Sequence, residues 1–135
     1  MAEATRNVVH IDRAAIGRRI ERLEVSADMK SLLAALVDKT IVIGGKLIDL
    51  GARIVAFVFE LAKAYPGVAF GVVAALVLSY LISSIPVVGP VLSPVLTPLL
   101  LIVGISLGAL DDLTDGGMLH RLQGLSDQLR ASGVA

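Results

Sequence analysis

The chain has no cysteine and no tryptophan, aromatic residues make up only 4% of it, and from Ala64 to Leu110 it contains no Asp, Glu, Lys or Arg. Without cysteine there is no disulfide framework, no thiolate metal site and no cysteine nucleophile. The two histidines, His10 and His120, stand far apart and in no ligand-spaced cluster, so both read as ordinary polar residues. There is no Walker motif, no G-x-S-x-G and no dinucleotide fingerprint. The acidic run Asp111, Asp112 and Asp115 lacks the spacing of a calcium loop. The basic amino-terminal arm is too short, too mixed in sign and too poor in aromatics to suggest nucleic acid. These absences point to a non-enzymatic protein with no cofactor, no metal and no small-molecule substrate.

What is present is apolar side chain in quantity. Of 135 residues 56% are hydrophobic, and the mean hydropathy is +0.84, far on the apolar side for a soluble domain. The uncharged run of 47 residues is interrupted in and beyond its middle by Pro86, Pro90, Pro94 and Pro98, with Pro66 near its start. A spanning helix needs about 20 apolar residues, so the run predicts two membrane-length arms joined by a turn. The expected fold is an all-α membrane protein. A helical hairpin with a proline-rich turn (residues 65–110, turn 86–98) follows a long amphipathic interfacial helix (27–64). A basic helical arm (1–26) and an acidic amphipathic helix (111–135) flank them.

Charge is unevenly placed within a net of zero. Residues 1–63 carry ten Lys/Arg against eight Asp/Glu, and residues 111–135 carry two against four. In the first arm Ile16, Ile20 and Leu23 recur at helical spacing behind Asp12 as N-cap, and Arg13, Arg18, Arg19 and Arg22 lie outside, where they would meet anionic headgroups at about 1 kcal/mol each. Ser26 is the expected N-cap of the long helix. Along that helix Lys39, Lys46, Arg53 and Glu60 fall seven residues apart, a lipid-headgroup or assembly stripe, with Asp49 alongside in an i,i+4 pair with Arg53. Each central charge costs about 2.5–3.5 kcal/mol in a bilayer, against a gain of about 0.3–0.6 per strong apolar residue. The helix is therefore expected to lie in the interface plane. Gly44, Gly45 and Gly51 weaken it by up to ~1 kcal/mol each.

Pro66 separates that helix from the first arm. Gly67, Gly71, Ala75, Ser79 and Ser83 then place a small residue at every fourth position, a face thin enough for another helix to approach. Gly67 to Ile85 would reach about 28 Å, close to the hydrocarbon thickness. Around Gly89 the prolines each remove an N–H and clash one turn back, so an unbroken helix through Pro86, Pro90, Pro94 and Pro98 is not expected. Ser93 and Thr97 can bond to the carbonyls so freed. The return arm from Val91 to Leu110 holds Gly104 and Gly108, and folding about Val87 and Val88 sets Gly71 opposite Gly104 and Gly67 opposite Gly108. In a last helix capped by Thr114 or Asp115, Met118, Leu122, Leu125 and Leu129 form an apolar stripe.

Ser93-Pro94-Val95-Leu96-Thr97-Pro98 resembles the S-P-x-x-x-P part of the proline knot at the tip of oleosin hairpins, with Pro86 one residue from the upstream proline of that pattern. The resemblance covers only the turn, and the arms here are shorter. It implies a shared way of turning a chain in lipid and no common function.

The functional expectation is a self-assembling protein that scaffolds or curves a bilayer by hairpin insertion and lateral oligomerisation, with membrane lipids and its own copies as partners. Its polar amino terminus lacks an apolar signal core, so the hairpin is the expected targeting element, and the placement of Lys and Arg predicts both termini on the cytoplasmic side of an inner or cytoplasmic membrane. The rivals are a holin-like or toxin-like pore lined by Lys46, Asp49, Arg53 and Glu60, and a small accessory subunit of a larger membrane complex.

Overall fold

The computed structural model describes residues 12–106 and 116–134. Over them the chain is mostly helical, in the order α1 (Arg13–Glu21), α2 (Ala27–Val37), β1 (Ile41–Ile43), β2 (Lys46–Ile48), α3 (Leu50–Ala64), α4 (Phe70–Ser84), a 3₁₀ turn (Pro86–Val88), α5 (Gly89–Val103) and α6 (Gly116–Ala131). The first two helices start where their side chains cap them. Asp12 accepts from the Ala15 N–H at 3.2 Å, and Ser26 Oγ accepts from the Met29 N–H at 3.1 Å.

The single helix expected over 27–64 is two helices with a β-hairpin between them. Gly44 and Gly45 adopt φ of +60° and +79°, the paired left-handed geometry of a tight two-residue hairpin turn. Flanking them, Ile41-Val42-Ile43 pairs antiparallel with Lys46-Leu47-Ile48, in the register Ile41 to Ile48, Val42 to Leu47 and Ile43 to Lys46. β-branched side chains on both sides of a Gly-Gly pair favour this over continued helix. The heptad stripe is thereby dismantled: Lys39 follows α2, Lys46 lies on β2, and only Arg53 and Glu60 share a helix. Asp49 pairs with Arg13 of α1 instead of Arg53.

The turn expected over 86–98 is also shorter. It is confined to the 3₁₀ turn, and α5 runs from Gly89 through Pro90, Pro94 and Pro98. Pro90 sits in the first helical turn, where its missing N–H has no partner to lose. Pro94 and Pro98 each deprive the carbonyl four residues back, and at this spacing those carbonyls belong to Pro90 and Pro94. The unpaired positions thus line up along one side of the helix, where Pro90 and Pro94 are exposed.

α4 is the centre of the molecule. Gly71, Val73, Ala74, Ala75, Leu76, Val77, Leu78 and Leu81 are all buried, spread around the whole helix. It packs on α3, α5 and α6, while α2 packs on α3 and α5. The Phe59 and Phe70 rings meet with centroids 5.0 Å apart. α6 contributes Met118, Leu122, Leu125 and Leu129 to the same core and is held at its end by Arg130 donating to the Ser84 carbonyl. Both α5 and α6 end on left-handed glycines, Gly104 (φ +74°) and Gly133 (φ +104°).

A close backbone approach lies where α3 meets α2. The Gly51 N–H donates to the Lys39 carbonyl at 2.8 Å, and a Cβ on Gly51 would stand 1.6 Å from the Leu36 carbonyl oxygen. That clash is with backbone and no rotamer relieves it. Gly51→Ala is therefore expected to cost about 3 kcal/mol or more, while Gly67→Ala, in open space, stays within about 0.5 kcal/mol. Urea unfolding of the two variants checks the difference.

Candidate membrane-facing surface

An α-helix that is apolar on every side must be covered on every side or lie in lipid. α4 is covered. α5 is covered on half of its circumference: Leu92, Val95, Leu96 and Leu99 face the core, while Pro90, Ser93, Pro94, Thr97 and Leu101 are exposed. The exposed positions recur at three and four residues and make one continuous face. Leu101 is 79% exposed, and Val87 extends the face into the 3₁₀ turn. No Asp, Glu, Lys or Arg lies on it. Among the described residues one helical stretch, the 18 residues Pro86–Val103, is long and apolar enough to cross a membrane, by length and composition alone, and 28% of it is buried in the fold.

The small residues singled out in the sequence do not form one contact row. Gly71 is tightly packed: a Cβ there would lie 2.6 Å from Met29 Cε and 2.9 Å from Val103 Cγ2. Ala75 is buried, Ser79 half-buried and Ser83 exposed. Gly67 and Gly104 face open space. Gly71 thus stands opposite Val103 and not Gly104, because the helix ends at Val103 and Gly104 is its left-handed cap. Gly108, Asp111, Asp112, Thr114 and Asp115, like His10, lie outside the described residues. Ser93 and Thr97 point outward on α5.

The arginines expected at headgroups divide. Arg13 is bound to Asp49, and the Arg19 guanidinium lies 4.0 Å from the centroid of the Phe59 ring. Those two hold α1 to α3. Arg18 and Arg22 remain exposed. On α3, Glu60 pairs with Lys63 at 3.3 Å in the open, and Arg53 and Glu60 border a groove of about 200 Å³ against Leu125 and Leu129. His120 is exposed on α6.

The two features that reading by residue type missed both had a signal. Proline at every fourth position is a helix-face period as well as a set of breakers. Gly-Gly between β-branched runs is a hairpin signal.

The outer face of α5 is separable from folding. Leu101→Lys is expected to leave stability within about 0.5 kcal/mol, whereas Leu99→Lys, burying an unpaired charge at a position 1% exposed, is expected to cost at least about 4 kcal/mol or prevent folding. Thermal unfolding in the absence of lipid distinguishes the two. Comparison of the chain with protein-family models, with curated proteins and with solved structures finds no match.

Proposed function

We propose that this protein works at a lipid bilayer as a non-enzymatic scaffold: α5, backed by α4, enters one leaflet as a wedge and bends the membrane. The single observation that supports the reading is the uncharged outer face of α5, which offers water nothing beyond Ser93, Thr97 and backbone. An apolar face of this kind gains free energy in proportion to the area it removes from water, on the order of 25 cal/mol per Å². A shallow seat suits the dimensions. With 15 residues, α4 reaches about 22 Å, short of a hydrocarbon core of about 30 Å. Its buried sides would also have to leave α3 and α6 before it could span.

Self-assembly is the second half of the proposal. Gly71 and Ala75 are occupied inside the chain, so side-by-side contacts between copies fall to exposed surface flanking the outer face of α5, which the leaflet itself covers. Every copy then adds its wedge to the same leaflet. The pore reading loses its main support, because Lys46, Asp49, Arg53 and Glu60 do not share a helix face.

The test is flotation and electron microscopy of the protein with unilamellar vesicles, together with dye retention. Wild type is expected to float with the vesicles, deform them and leave them sealed. Leu101→Lys combined with Thr97→Lys should remove binding, each charge costing on the order of 10²-fold in partition if it is carried to mid-leaflet. Rapid dye loss from round vesicles would overturn the scaffold in favour of a pore, and absence of any vesicle binding would overturn both.

A further inference from the structure

The β1–β2 hairpin carries apolar surface that the fold does not use. Val42 and Leu47 are cross-strand partners and so stand on the same face. They are 68% and 66% exposed. The opposite face is spent on the body: Ile48 is buried, Ile41 and Ile43 pack against the core, and Ile43 Cγ2 comes within 3.4 Å of a Cβ placed on Gly133. The tip stands clear, since a Cβ on Gly44 or Gly45 would meet nothing within 4 Å. Nothing in the folding of the chain requires two large apolar side chains at this place.

The charge around them selects the occupant. From Lys39 to Ile48 there are two lysines and no acidic residue; the exposed Asp38 directly precedes Lys39, which leaves Lys46 at the tip as the cation with no carboxylate beside it in the chain. Lys46 precedes Leu47 at the tip of the hairpin and is exposed; as the cross-strand partner of Ile43 its side chain leaves on the opposite face from Leu47. The nearest carboxylate after the hairpin, Asp49, is bound to Arg13. Paired apolar side chains on a projecting turn that carries an unpaired lysine at its tip match a leaflet with anionic headgroups: the side chains enter the acyl boundary, and the long stem of Lys46 lets its ammonium reach the phosphates from the far face of the thin hairpin.

We propose that this hairpin is a second lipid contact, separate from α5, in which Val42 and Leu47 insert into an anionic leaflet and Lys46 and Lys39 bind its headgroups. The inference rests on the reading that the protein works at a bilayer. Two contacts on one rigid body would fix its orientation on the membrane, which a single apolar helix face leaves free to rotate. The hairpin would also make binding selective for anionic lipid, a preference that the uncharged face of α5 cannot supply.

The absence of native tryptophan allows each contact to be read alone. Full-length Leu47→Trp and Leu101→Trp proteins are mixed with phosphatidylcholine vesicles, with and without phosphatidylglycerol, and their emission is recorded with brominated lipid as quencher. Leu47→Trp is expected to shift to the blue and to be quenched, more strongly when phosphatidylglycerol is present. The double change Val42→Ser and Leu47→Ser should weaken vesicle binding at least about tenfold, and Lys46→Glu should weaken binding to the anionic vesicles by about tenfold while sparing neutral ones. Unchanged circular dichroism and melting of these variants show that the fold is retained. If Leu101→Trp responds to lipid and Leu47→Trp does not, the hairpin contact is overturned and the bilayer function stands. If neither responds, both fall. A blue shift of Leu47→Trp that follows protein concentration without lipid overturns the proposal in favour of a second copy of the chain.

Discussion

The structure depends on one constraint: α4 is uncharged and apolar around most of its circumference, with only serines and Tyr80 near its end able to face water. α3, α5 and α6 are placed by the need to cover it. α3 lends its widest apolar face, α5 lies along a second side, and α6 brings Met118, Leu122, Leu125 and Leu129 to a third. Gly71 lets Met29 of α2 and Val103 of α5 close over the start of the helix. The backbone contact at Gly51 belongs to the same arrangement, because it lets α2 and α3 meet at a distance that only a glycine allows.

Covering α4 leaves a remainder. A helix can be enclosed only by elements with outer faces of their own, and those faces must be charged to satisfy water. α1, α3 and α6 meet this with Arg18, Glu60, Lys63, Arg121 and Asp127, all exposed. α5 does not. Its outer face is proline, hydroxyl and leucine, and its carbonyls at Pro90 and Pro94 have no N–H four residues on to receive. The proposed bilayer contact follows from that remainder. A hydrocarbon boundary receives the apolar side chains that water would expose, and the interface supplies donors for the freed carbonyls.

How much was legible depends on the range of the interaction that decides each feature. Asp12 and Ser26 are readable as caps because the cap is a contact across three residues. Pro66 ends a helix for an equally local reason. The apolar stripe of α6 follows from spacing alone. The hairpin at Gly44-Gly45 was readable too, but the seven-residue recurrence of Lys39, Lys46, Arg53 and Glu60 suggested one long helix over the same residues. Two periods competed there, and the turn geometry that glycine permits won. In α5 the opposite holds: proline is a breaker by type, but its four-residue spacing puts the lost bonds on one open side of a helix that continues.

That this protein is helical, that Ala64 to Leu110 is uncharged, and that no reaction motif stands in the chain are matters of composition and short-range spacing. Only the tertiary structure decided which apolar residues are covered. Burial is a property of neighbours distant in the chain, and neither hydropathy nor period distinguishes Leu99, enclosed by the core, from Leu101, two residues on and open. The same holds for Val42 and Leu47. As letters they are ordinary core residues, and only their place on the outer face of a hairpin leaves them free to meet something else.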